Sequence, residues 1–267
     1  MQSSQSTTVS RCSLVVRTTD VWTGRPAAPS SVRVRLQDIR TAPLRTSEGS
    51  WAFLDVNVDA CEIVVESTSY LPIFRRVELA SLDPGHPVVE LYLQPSRLYA
   101  PPAAATGIIR RLMDGKGKPL SNVEVFAYAD DDGGARGRIL DEEVPTGSRE
   151  LRCLPGSTAL MSGDALALRG KDGSVAEWFR VSPRQVDDEV QLSLDRPTAA
   201  HWKRHALLLP AAASVSDADG WVVLPFRGRV SAAGGLRVRL QDGDRTIADD
   251  WPLEQGRTAV LPDFVWP

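Results

Sequence analysis

Apolar and polar residues alternate with a period of two along most of this chain. The cleanest run is 31–37, where Val32, Val34 and Leu36 fall on one side and Arg33, Arg35 and Gln37 on the other. That is the period of a half-buried strand; a helix repeats at 3.6 residues. Similar runs at 13–17, 50–56, 61–66, 75–79 and 88–93 are separated by turn-forming clusters. Six or seven strands in roughly ninety residues is the spacing of a β-sandwich rather than of alternating strands and helices.

The stretch 46–65, TSEGSWAFLDVNVDACEIVV, carries this pattern most fully. Ser47, Glu48 and Gly49 form a turn, with Gly49 free to take positive φ, and Trp51, Phe53 and Leu54 open an aromatic-rich strand. Phe53 and Val56 beside it predict that Trp51 is buried. A Ser69-Tyr70-Leu71 corner follows. This turn, strand and corner resemble the carboxypeptidase regulatory-like, or transthyretin-like, β-sandwich domain, with Glu48 where the family carries Asp and Ser69 where it carries Gly. A second likeness lies in 106–125, TGIIRRLMDGKGKPLSNVEV, where Gly107, Ile109, Asp114, Gly117, Pro119, Leu120, Val123 and Val125 match the family's first hairpin. The family's next piece, Thr-Asp-x-x-Gly-x-Phe, has its nearest copy at 216–223, SDADGWVV, about ninety residues later. Either the second sandwich carries a long insertion or a third partial unit begins there. SVRVRLQD at 31–38 recurs as GLRVRLQD at 235–242, which favours duplicated sandwiches over a shared strand pattern.

Pro95, Pro101 and Pro102 in 94–106 withhold backbone donors among small residues. The expected architecture is therefore all-β, with tandem antiparallel β-sandwich domains of the transthyretin-like or Ig-like kind and at most one short helix. A first sandwich covers 11–94, a proline-rich linker 95–105, and a second, larger β-sandwich 106–267. Further strands are predicted at 148–154, 165–169, 176–181 and 189–194. Only 198–209, TAAHWKRHALLL, reads as helix as readily as strand, bracketed by Pro197 and Pro210. The first ten residues, rich in Ser, Thr and Gln, are expected to be mobile.

Composition narrows the function. At 267 residues the chain has room for two cores; 42% hydrophobic and 24% charged residues are ordinary for a soluble globular protein. A formal charge of −3 gives no general pull towards nucleic acid or membrane. The polar N-terminus lacks the order of a secretory signal, and no long apolar run occurs, so a cytoplasmic protein is expected unless a leader was removed. Cys12, Cys61 and Cys153 read as buried thiols, with a Cys12–Cys61 disulfide as the alternative.

No motif forces a particular chemistry. His201 and His205 have the i, i+4 spacing that would place two rings on one face of a helix, but neither HExxH nor HxxE accompanies them. They are weak metal candidates. Asp130–Asp132 and Asp217, Asp219 precede glycines and read as turns rather than calcium loops. No G-x-S-x-G, G-x-G-x-x-G or G-x-x-x-x-G-K occurs. Of the seven tryptophans, Trp51, Trp178 and Trp221 lie inside strand-like runs and are expected to be buried. Trp22, Trp251 and Trp266 lie near turns or the terminus and are the candidates for partner or ligand contact, with burial left open for Trp22 and Trp266. The sequence thus favours a non-catalytic structural or adaptor protein, without cofactor, that binds another protein through sandwich edges and loops, within a larger bacterial or phage-tail-like assembly. A carbohydrate-binding module using exposed tryptophans and a metal-dependent hydrolase using His201 and His205 are the alternatives. Oligomeric state is left open.

Overall fold

The computed structural model describes residues 10–170, 173, 175–231 and 235–267; the N-terminal stretch expected to be mobile lies outside them, save Ser10. The chain divides into two compact units, one running to Asp20 and resuming over Arg25–Leu93, the other made of Val21–Gly24 and Gln94–Pro267. The fold is all-β. Among the described residues the helical segments are three 3-10 turns, Pro29–Ser31, Leu79–Ser81 and Asp132–Gly134.

The first unit contains β1 (Cys12–Asp20), β2 (Arg33–Leu36), β3 (Leu44–Arg45), β4 (Trp51–Leu54), β5 (Ala60–Glu66), β6 (Ile73–Glu78) and β7 (Val88–Leu93). They form two sheets, β3-β4-β1-β7 and β2-β5-β6. Leu14, Val16, Phe53, Leu91 and Leu93 are buried on the first, Val34, Leu36, Ile63, Val65 and Val77 on the second. Phe53 is fully buried, opposite Leu14. Trp51 corrects the expectation made for it: it shares Phe53's face and pairs with Val16, but as the first residue of β4 it is only half-buried, with the Arg45 guanidinium 3.8 Å above its ring.

The second unit contains β8 (Thr106–Met113), β9 (Glu124–Ala129), β10 (Gly137–Ile139), β11 (Glu143–Val144), β12 (Glu150–Pro155), β13 (Asp164–Arg169), β14 (Val175–Val186), β15 (Glu189–Leu194), β16 (Trp202–Lys203), β17 (Leu207–Val215), β18 (Trp221–Phe226), β19 (Leu236–Asp242), β20 (Arg245–Trp251), β21 (Thr258–Val260) and β22 (Phe264–Val265). One sheet is β18-β8-β21, with β22 also on β8. The other is nine-stranded, β10-β12-β15-β14-β13-β17-β9-β19-β20. Ile108, Leu112, Val222 and Leu224 from the first share a core with Val125, Ala127, Val238, Leu240 and Trp251 from the second.

The two units repeat one topology. In each, the first strand pairs antiparallel with the strand that leaves an acidic turn (β1 with β4, β8 with β18) and parallel with a late strand (β7, β21). The turns share one geometry: Thr46 Oγ1 accepts from Ser50 N (3.0 Å) and Asp217 Oδ1 from Trp221 N (2.8 Å), with Gly49 and Gly220 at φ +82° and +81°. Asp114 and Lys118 repeat it around Gly117. The RVRLQD echo does not follow this repeat. It falls on β2, an edge strand beside β5, and on β19, a central strand between β9 and β20. What the copies share is alternation, Val34 and Leu36 or Val238 and Leu240 inward and arginines outward.

Residues 135–206 leave the second sandwich after β9 and return to it in β17. Strands β10, β12, β15, β14, β13 and β17 pair in that order and β10 pairs again with β17, so six antiparallel strands close on themselves. Leu151, Cys153, Leu166, Leu168, Phe179, Val181, Leu192 and Leu208 fill the interior. Strand β17 serves both bodies, flanked on one edge by β13 and on the other first by β10 and then by β9. Pro210 stands at that change of neighbour: two residues on from Leu208, whose carbonyl accepts from Arg136 N (2.7 Å), its missing donor faces the edge where β10 ends and β9 begins.

The stretch 198–209, readable as helix, is extended instead. Glu177 accepts from Ala199 N (2.6 Å), Ala200 N (3.2 Å) and the Trp202 indole, and His205 turns the chain at φ +71°. Removing that acceptor leaves two amides and a buried indole without their partner. Glu177→Ala is therefore expected to cost about 1–3 kcal/mol and to speed hydrogen exchange at Ala199 and Ala200; unchanged exchange there would refute the anchoring role.

All three thiols are free, Cys12 in one sheet of the first unit and Cys61 in the other. Burial pushes Cys61 up and Cys153 to about 12. A raised thiol pKa favours the neutral folded form, a contribution intact below the ordinary thiol range near pH 9 and lost as pH climbs towards 12. A thiol reagent at pH 8 should therefore modify half-buried Cys12 first and reach Cys153 only on unfolding; equal rates at the three would contradict this.

Candidate functional site

The outer face of the nine-stranded sheet carries an apolar cluster separate from the sandwich core and the barrel interior. It arises because β9 and β17 are apolar on both faces. Val125, Ala127 and Ala129 point into the sandwich core while Phe126 and Tyr128 point outward; Ala212 points inward while Leu209, Ala211 and Ala213 point outward. Ala167 of β13 adds to a floor of small side chains, over which Phe126 and Trp178 of β14 stack at 5.7 Å and 15°. Tyr128 continues the stack, 5.7 Å from Phe126.

Arginines border these rings. Arg196 lies 4.1 Å over Trp178 and Arg239 lies 5.7 Å over Phe126. Arg180 reaches under Trp178, donating to the Gly163 and Ala213 carbonyls at 3.2 Å each. Arg196 meets Asp195 at 3.3 Å and Arg237 grips Asp250 at 2.7 and 2.9 Å, whereas Arg239 makes no ion pair among the described residues. Burial and neighbouring Asp130 raise the Tyr128 phenol, so it stays a neutral donor.

Two adjoining depressions lie along this face. One, of about 280 Å³, is lined by Trp178, Arg196, Ala213, Phe126, Arg239 and Gln241; the other, of about 310 Å³, by Phe126, Tyr128, Arg237, Arg239, Ala248 and Asp250. From β14 to β20 the face crosses six neighbouring strands, about 24 Å at the usual strand spacing.

The residues expected to make contacts lie elsewhere, and all three tryptophans are buried. Trp22 is 4% exposed; its six-membered ring lies where a Cβ on Gly107 would stand, 2.6 Å away, and it stacks on Tyr99 at 5.5 Å. Trp251, at 1%, closes β20 inside the sandwich core, and Trp266, at 5%, is carried under by β22 alongside β8. Side chains with at most a twentieth of their surface exposed offer almost nothing to a sugar or partner, so the contact role read for these three is corrected. The tryptophans expected to be buried, Trp51, Trp178 and Trp221, are the half-exposed ones, each under an arginine. Arg97, from the proline-rich stretch, covers Trp221 at 4.3 Å, so that stretch packs within the second unit.

His201 and His205 share no helix face, which removes the geometric basis of a metal pair. His201 faces Glu143 at 3.6 Å, and exposed His205 occupies a left-handed turn beside Arg138 and Arg169. Among the described residues no group of three His, Cys, Asp or Glu side chains is placed to hold a metal ion. Asp130 and Asp132 pair with Arg169, and Asp217 is engaged in its turn. No helix among the described residues is long and apolar enough to cross a membrane.

No family model matches the chain and no curated protein matches it. Among solved structures it is similar to BcpA, the major pilin subunit of Bacillus cereus, at 10% identity and a TM-score of 0.26, over 95% of this chain and 69% of that one.

Proposed function

We propose that this chain is a non-catalytic adaptor or structural module that binds another protein across the outer face of its long sheet. The observation that carries this reading is the Trp178–Phe126–Tyr128 stack with Arg196 and Arg239, an aromatic and arginine surface outside the other cores and over two depressions. Tryptophan, tyrosine and arginine are the residues that dominate protein interfaces, because large, stiff side chains bury much area at low entropic cost. The partner is a segment that places an apolar or aromatic side chain against Trp178 and a carboxylate on Arg239, which makes no ion pair among the described residues. This proposal puts the contact on a sheet face, where the sequence pointed to sandwich edges and loops.

A photo-activated cross-linker at exposed Gln241, in the full chain expressed in its source cells, tests this. A discrete protein adduct is expected, and Trp178→Ala or Arg239→Ala should each weaken capture by about tenfold or more without loss of fold by circular dichroism. An adduct indifferent to both substitutions, or none at all, would remove the surface from consideration. Glycan binding abolished by Trp178→Ala would instead support a carbohydrate-binding module.

A further inference from the structure

Beneath the seam between sandwich and barrel the second unit buries more positive than negative charge. Arg136 is 4% exposed, the Arg227 side chain 12% and Asp164 7%. They surround a cavity of about 20 Å³, lined also by Arg180, Leu166 and Phe226. Both Asp164 oxygens are engaged, Oδ1 by Arg227 Nε at 2.7 Å and Oδ2 by Met161 N at 2.7 Å. Arg227 Nη2 is also held, by the Met161 and Ser162 carbonyls at 3.2 Å each. Arg136 gives one amino group to the Arg227 carbonyl. Among the described residues Arg136 Nε and Arg227 Nη1 are buried with no partner.

The one carboxylate here is thus paired with Arg227, Arg136 has no ion-pair partner among the described residues, and each guanidinium has a donor to spare. Burying a charge costs heavily unless it is paired, and buried donors are almost always satisfied. Burial accordingly holds the Arg136 guanidinium below the usual arginine range, against the pull of Asp164. The described side chains around the cavity supply no second carboxylate. The volume exceeds what one water needs but is too small for a phosphate, a sulfate or a partner's carboxylate arm.

We propose that this cavity binds a single monovalent anion of chloride size, held between Arg136 Nε and Arg227 Nη1, which neutralises the cluster and locks the barrel to the sandwich. The proposal is independent of the sheet-face reading, since the cavity shares neither Trp178 nor Arg239 with that surface.

The test is thermal unfolding of the full chain in sodium chloride against sodium gluconate at fixed ionic strength. The midpoint should rise saturably with chloride, by about 3–6 °C at tenfold excess over the dissociation constant. Arg136→Met, which keeps the unbranched apolar stem and removes the guanidinium and its charge, should abolish that rise and be at least as stable as the unaltered chain in gluconate. A flat response in the unaltered protein, or an equal response in the variant, overturns the proposal. Bromide-soaked crystals of the unaltered chain give an answer that needs no variant: an anomalous peak in the cavity supports the site, and a water without one refutes it.

Discussion

Phe53→Ala is expected to cost the first unit about 3–5 kcal/mol, a large part of a domain's whole stability. Phe53 is fully buried on β4 opposite Leu14, among the largest side chains without exposure. Truncation removes its transfer free energy and leaves a cavity that neighbouring strands, tied by their backbone ladders, close only in part. Trp51→Ala, two residues away on the same face, should cost only about 1–2 kcal/mol, because its ring is half-exposed and its outer face meets Arg45 rather than core. Urea unfolding of both variants measures the contrast, and hydrogen exchange places it: amides of β1 and β5 should lose protection while those of β19 keep theirs. If Trp51→Ala proved the costlier, the core of this unit would be centred on the strand's first residue instead of its third.

The strands were readable because alternation is a local signal. The runs at 13–17, 61–66 and 88–93 lie within β1, β5 and β7, and the turn with Gly49 is closed by its own side chains. The barrel was not, since its closure depends on β10, three residues long, meeting β17 some seventy residues later. β20 was missed for another reason: RTIADDW, on the rim of the sheet, is mostly charged or polar and has no clean alternation. Pairing the first strand in parallel with a late one is likewise invisible to any window of sequence.

The tryptophans show the same limit more sharply. Nearness to a turn left the burial of Trp22 open, and what decides it is Gly107, whose missing side chain makes room for the ring. The sheet-face cluster did leave a trace. EVFAYA in β9 and LLLPAAASV in β17 are apolar at successive positions rather than at every second one. A strand with one wet face does not need that, so the runs already implied cover on both sides. Which partners provide the cover, Trp178 above all, followed only from the fold.

Trp251→Ala is expected to cost the second unit about 3–5 kcal/mol. The residue is 1% exposed, pairs with Leu236 across β19 and β20, and lies 6.4 Å from Phe264. Its surroundings are more than apolar: the indole Nε1 donates to Asp249 at 2.8 Å and Arg110 lies 4.6 Å over the ring, itself 3.7 Å from Asp249. Removing the ring thus opens the core and takes the aromatic face away from the Arg110 guanidinium above it. Trp251→Phe separates the two effects, since it refills most of the volume but gives Asp249 no donor, and should cost about 1–2 kcal/mol. Urea midpoints with unchanged slopes would measure both, and loss of hydrogen-exchange protection in β8 and β19 would locate the damage. A contact residue would behave oppositely, leaving the midpoint where it was and weakening only the cross-link captured from Gln241; that result would return Trp251 to the surface.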